Sequence, residues 1–206
     1  MREVDRLVAV MHRLRADCPW DAEQTHASLV PYLVEEACEV VEALEDGTTA
    51  DQREELGDLL LQVVFHAELA SEEGAFDLGD VAAGIADKLV SRHPHVFETA
   101  DVPEDLHATW EQRKAVEKNR ASALDGIPER LSALARAAKI LSRARSRRVP
   151  LAEPEAVEPI DEQELGEALV QLVRRAQASG LDAEQSARSA VRRLEVQVRD
   201  AEAAAR

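Results

Sequence analysis

The residues that make turns, bridges and aromatic cores are scarce in this chain of 206 residues: eight glycines, eight prolines, two cysteines and 3% aromatics. So few glycines and prolines leave little of the turn chemistry that a many-stranded sheet protein needs. Cys18 and Cys38 are too few for a disulfide framework, and their spacing is not that of a metal-binding cysteine motif. No apolar run approaches the roughly 18 residues that span a bilayer, and the charged opening MREVDR has no signal-peptide core. The expected location is therefore cytoplasmic. Positive charge is scarce too, with 25 Lys and Arg against 41 Asp and Glu for a formal net charge of −16. That balance argues against nucleic acid as a partner. An anionic ligand would have to be held by a local cluster of cations or by a metal ion.

What remains is rich in Leu, Ala, Val, Glu and Arg, the composition of an all-α protein with an aliphatic core. Helical periodicity predicts an amphipathic helix to about Arg15, a loop from Cys18 through Trp20 to His26, and a helix from about Ser28 to Glu45. A central helix follows to Gly74, started by a capping-box pattern at Thr49 and Gln52. A fourth helix, capped by Asp77 or Asp80, ends near Arg92, and a fifth after Pro103 carries Trp110, Lys114 and Lys118. Asp125-Gly126-Ile127-Pro128 breaks the chain. A basic helix over Leu131–Arg148, an acidic Pro-containing linker over 149–160 and two more helices complete it.

The segment EELGDLLLQVVFHA, Glu54 to Ala67, is apolar in almost every direction, as expected of a helix in the middle of a bundle. Yet Glu55, Asp58, Gln62 and His66 share one stripe of it. A buried carboxylate is costly, so something positive is expected to face that stripe. Its neighbour carries Glu36 and Glu39, again i and i+3. Fifteen residues separate Glu39 from Glu55, enough to end one helix, turn and return antiparallel beside it. Four carboxylates then meet between two helices, an all-oxygen ligand set for a hard divalent cation, Mg²⁺ or Mn²⁺. Such a cation completes its shell with water and phosphate oxygens, and with no Ser-His or Cys-His pairing evident, water is the expected nucleophile. Taken alone, E-E-x-x-E is also a common solvated helix face; the second acidic pair sets this case apart.

Lys88 and Arg92 are i, i+4 and point the same way, either towards a phosphate or into surface ion pairs. Lys114 lies one turn beyond Trp110. Trp20, beside Pro19 in a polar loop, is either a hydrophobic plug or a platform for a planar ligand. Two further readings stay open: a di-iron carboxylate bundle, for which E-x-x-H occurs at Glu23–His26 and Glu104–His107, and a non-catalytic helical dimer with a vestigial acidic stripe. An internal repeat adds to this. ELGDLLLQVVFHA at Glu55–Ala67 matches ELGEALVQLVRRA at Glu164–Ala176 at seven of thirteen positions, so the second half reads as a decayed copy.

CPWDAEQTHASLVPYLVEEACEV, REELGDLLLQVVFHAELASEEGAFDLGDV and KLVSRHPHVF resemble the hallmark stretches of the MazG family of nucleoside triphosphate pyrophosphohydrolases. The resemblance implies an all-α, MazG-like bundle whose four-helix core is completed by dimerisation, as a homodimer or higher homo-oligomer. It implies Mg²⁺-dependent hydrolysis of an NTP or dNTP to the monophosphate and pyrophosphate. By position, Glu36, Glu39, Glu55 and Asp58 would be the metal ligands, with Glu35 and Glu54 as accessory carboxylates. Lys88 and Arg92 would hold the phosphates, Trp110 and Lys114 would help hold the nucleotide, and Trp20 would border the substrate. On this reading residues 1–126 form the catalytic domain, and 127–206 a degenerate second half with a structural or oligomerising role.

Overall fold

The computed structural model describes residues 2–98, 102, 106–117, 120–152 and 158–205. Ten helices and no strand occur among them, so the expected all-α class is observed. They fall into two compact units, residues 1–99 and 100–206. The span expected to be catalytic, 1–126, therefore runs past the end of the first unit. Pro103, Lys118 and residues 153–157 of the anticipated linker lie outside the described residues.

The first unit contains α1 (Arg2–Asp17), α2 (Pro19–Glu23), α3 (His26–Glu45), α4 (Thr49–Glu72), α5 (Leu78–Arg92) and the short α6 (Pro94–Phe97). The anticipated loop at Trp20 is thus a short helix, because Pro19 sits in its first turn where no N–H is needed. Three helices begin in reciprocal capping boxes. Thr25 and Ser28 start α3, and Asp77 and Asp80 start α5. Thr48 and Asp51 start α4, one residue earlier than the Thr49–Gln52 pattern suggested. An Asp side chain at the third helical position returns a bond to the cap's N–H as well as Gln does.

Gly47 makes the turn between α3 and α4: a Cβ there would lie 2.7 Å from the backbone of Ala43. At the far end of α4, Gly74 adopts φ +68° and Ala75 N–H donates to the Ala70 carbonyl, closing the helix. The core of the unit is Met11, Leu29, Val64, Phe65 and Leu69. α4 packs against α1, α3 and α5, which gives it the central position its sequence called for. Arg15 of α1 makes a bidentate pair with Glu72 of α4 at 2.7 and 2.6 Å. Glu72 is held below the usual carboxylate range by that guanidinium. One expectation fails here. α4 is not enclosed on all sides in the single chain, for Leu56, Leu60 and Val63 are exposed.

The second unit contains α7 (Leu106–Glu117), α8 (Ala133–Ser146), α9 (Glu162–Ala178) and α10 (Ala183–Ala204). Its core is formed by Ile127, Ile140, Ala144, Val191 and Val198, with the Arg136–Glu195 pair at 2.7 Å beside it. α8 packs chiefly on α10, and α9 buries none of its residues. Glu164 and Glu167, the counterparts of Glu55 and Asp58 in the repeat, are exposed.

Candidate active site

Gly47 is the centre of symmetry of the α3–α4 hairpin. Glu39 lies eight residues before it and Glu55 eight after; Glu36 and Asp58 lie eleven on either side. An antiparallel hairpin with a tight turn sets such equidistant residues opposite one another, so the turn itself fixes which acids meet. Three of them come together: Glu36, Glu39 and Glu55 each offer a carboxylate oxygen within 4.8 Å of the others. Asp58 stands close enough to act on two of these charges.

The electrostatics follow the same register. Glu36 is pushed above the ordinary carboxyl range, first by partial burial, then by the charges of Asp58 and Glu39 and a hydrogen bond with Glu39. Glu55 is raised in the same way, by partial burial and then by Glu39 and Asp58. The dominant neighbour in each case is the residue at the mirror position across Gly47. A carboxylate cluster that raises its own members' affinity for protons is a site short of positive charge. Glu55 and Asp58 are half-buried, where full burial was anticipated, and their nearest charged neighbours are the carboxylates of α3. An all-oxygen set at this spacing, with no thiol or imidazole in it, fits a hard divalent cation.

Glu35 and Glu54 are exposed at the flanks, and their charges act on Glu36 and Glu55 respectively. Lys88 and Arg92 are on α5, which packs against α4; Lys88 is exposed and Arg92 half-buried. Trp20 is 51% exposed in the single chain. Its ring meets Tyr32 edge-on at 5.9 Å, and Tyr32 lies one turn before Glu36 on α3. Trp110 and Lys114 are on α7 of the second unit, where the Lys114 ammonium sits 5.1 Å from the centre of the Trp110 ring.

Two features escaped the reading of the sequence. His26 and His66 stack with ring centres 5.1 Å apart and Nδ1 atoms 2.8 Å apart. They too lie at near-mirror positions about Gly47, a signal that the spacing carried. Gln62 shares the acidic stripe of α4 but is 4% exposed, and its Oε1 has no hydrogen-bond partner among the described residues.

Fold and site together define an all-α protein with a carboxylate centre between two antiparallel helices, suited to a hard cation. The chain belongs to the MazG nucleotide pyrophosphohydrolase family, whose domain model matches residues 24–97 and so encloses the whole α3–α4 hairpin. It is 38% identical over 210 residues to the nucleoside triphosphate pyrophosphohydrolase/pyrophosphatase MazG of Thermotoga maritima, covering 92% of this chain and 82% of that protein. Over 151 residues it is 50% identical to the nucleoside triphosphate pyrophosphohydrolase of Escherichia coli K12, covering 69% of this chain. The match takes in little more than half, 57%, of the Escherichia coli protein. An uncharacterized 26.1 kDa protein of Streptomyces cacaoi is 43% identical over 201 residues, covering 95% of this chain and 81% of that one.

Proposed function

We propose that the chain hydrolyses nucleoside triphosphates, ribo- or deoxyribo-, to the monophosphate and pyrophosphate in a Mg²⁺-dependent reaction with water as nucleophile. The observation that carries this reading is the meeting of Glu36, Glu39 and Glu55 within 4.8 Å, from two helices of a MazG-family chain. Glu36, Glu39, Glu55 and Asp58 hold the cation, with Mn²⁺ able to replace Mg²⁺ because both are hard and oxygen-seeking. The cation supplies charge neutralisation on the phosphate oxygens and a more acidic water. Glu35 and Glu54, at the rim, add negative potential that draws the cation in.

Lys88 and Arg92 grip the triphosphate, the guanidinium bidentately and the ammonium as a point charge. Trp20, exposed beside Tyr32 one turn from Glu36, offers a face to the nucleoside. Trp110 and Lys114, on α7 of the second unit, offer an aromatic face and a cation suited to a nucleotide. The chain works in the cytoplasm as a homodimer or higher homo-oligomer. Support for the second copy comes from exposed apolar residues in a four-three rhythm: Val30, Val34, Val41 and Leu44 on α3, and Leu56, Leu60 and Val63 on α4. That spacing is the seam of a helical bundle, and a partner hairpin on it would complete a four-helix core. Residues 127–206 take a structural or oligomerising part.

The test is a panel of NTPs and dNTPs incubated with the chain and Mg²⁺, with and without EDTA, and resolved by chromatography. Monophosphate and pyrophosphate appearing only without EDTA is the expected result. No turnover of any nucleotide would leave a non-catalytic helical module as the better reading.

A further inference from the structure

In the second unit, α9 is a helix of 17 residues that buries none of them. A helix of that length is marginal in water unless an apolar face is packed. It has such a face: Leu165, Leu169, Leu172 and Ala176 follow a four-three-four spacing. Leu165 and Leu172 are exposed in the single chain, as is Val173 at the edge of the stripe. The internal repeat shows what the helix has kept. Phe65, 3% exposed and the largest side chain that α4 places in its core, is replaced by Arg174. The exposed seam of α4, Leu56, Leu60 and Val63, is retained as Leu165, Leu169 and Leu172. The copy has given up an inward anchor and kept the outward face.

The charges point to what covers that face. Asp161, Glu162, Glu164 and Glu167 occupy the first half, and Arg174 and Arg175 the second; no base occurs over 161–173 and no acid over 168–178. This polarity suits the helix dipole. It also makes the helix complementary to its own copy laid antiparallel. In an antiparallel pair with two-fold symmetry, each flank of the seam meets the same flank of the partner. Glu164 and Arg175 are eleven residues apart, about three turns, and so share one flank. Gly166 and Val173 are seven apart, about two turns, and share the other. Both pairs have their midpoint between Leu169 and Val170. One axis there sets Glu164 beside Arg175 of the second copy and Gly166 beside its Val173. Nothing in the single chain calls for that glycine: it weakens a helix interior, and a Cβ on it would meet nothing within 4 Å. We propose that α9 pairs antiparallel with α9 of a second copy of this chain, about a two-fold axis between Leu169 and Val170. This rests on the oligomerising part given above to residues 127–206 and supplies its contact.

The test uses the full-length chain with Cys18→Ser and Cys38→Ser. Single cysteines are added to α9 and oxidised, and covalent dimers are read on a non-reducing gel. Leu169→Cys, beside the axis, is expected to cross-link. Leu165→Cys alone is not, because a rise of about 1.5 Å per residue leaves it about 13 Å from its own copy, beyond disulfide reach. An equimolar mixture of Leu165→Cys and Val173→Cys is expected to cross-link; both sites are exposed, so the mixture decides if Leu169→Cys loses helical circular dichroism. Adding Glu164→Arg to Leu169→Cys should slow cross-linking by about threefold or more, and adding Arg175→Glu as well should restore it. Charges that served only the helix dipole would not be rescued by the double reversal. Self-linking of Leu165→Cys as fast as that of Leu169→Cys, or failure of the rescue, overturns the antiparallel pairing. A wild-type chain that sediments as a dimer while neither Leu169→Cys nor the mixture cross-links overturns this proposal alone. A wild-type chain that sediments as a monomer overturns the oligomerising reading with it.

Discussion

Replacing Glu36 by Gln should make the metal-free protein more stable and the metal-loaded protein less so. Glu36 stands within 4.8 Å of both Glu39 and Glu55, with Asp58 the strongest of the charges acting on it. At that distance two unit charges repel by about 0.9 kcal/mol in water and about 3.5 kcal/mol at an effective dielectric of 20. Glu36 is half-exposed, so screening brings the value close to the lower figure, about 1 kcal/mol for each near neighbour. Removing one charge therefore relieves about 1–2 kcal/mol, which for a unit of this size moves the melting temperature up by roughly 5–10 °C. A cation bound only by the folded state raises the wild-type melting temperature, and Glu36→Gln, lacking a ligand, should lose most of that rise. Calorimetry of both proteins in EDTA and then in millimolar Mg²⁺ reads both effects. A lower melting temperature for Glu36→Gln in EDTA, or an undiminished response to Mg²⁺, would refute the reasoning.

Other outcomes follow from the same geometry. Asp58→Asn should abolish nucleotide turnover with helical circular dichroism unchanged; retained turnover would remove Asp58 from the site. Glu164→Gln, in the exposed copy on α9, should leave turnover within about twofold of wild type, and a large loss would show that the second half is not silent. The imidazole of His66 is held below its ordinary value of 6.5 by partial burial and then by His26. The unfolded chain therefore takes up that proton first as pH falls. His66 accordingly contributes stability above about pH 6.5 that is lost towards its lower folded value, a loss that His66→Gln should not show in pH-dependent melting. Leu60→Glu, in the exposed seam of α4, should shift sedimentation towards the monomer, and an unaltered association state would place the interface elsewhere.

The helices were legible because their punctuation is local. Gly47, Gly74 and Asp77 act within a few residues of themselves, so α3, α4 and α5 fell within two residues of their predicted ends, whereas Pro19 and Thr25, which start α2 and α3, lay in the stretch expected as a loop. The acidic pairs were legible for a similar reason: with the turn placed at Gly47, equal spacing on either side dictates that Glu39 meets Glu55. What spacing could not show was environment. The all-round apolarity of Glu54–Ala67 implied full burial, whereas Leu56, Leu60 and Val63 are exposed in the single chain. The unpaired state of Gln62 is likewise invisible, because it depends on what the packed helices withhold. The repeat, seven matching positions of thirteen, sets α9 opposite α4 in sequence, but α8 packs chiefly on α10 and α9 has no buried residue. Its Arg-rich helix finds its partners elsewhere, with Arg136 bound to Glu195.

The most direct measurement is a crystal of the protein grown or soaked with Mn²⁺ and recorded at the manganese absorption edge. The account predicts an anomalous peak between α3 and α4, ligated by oxygens of Glu36, Glu39, Glu55 and Asp58. A crystal in millimolar Mn²⁺ with no peak among those four carboxylates would contradict it.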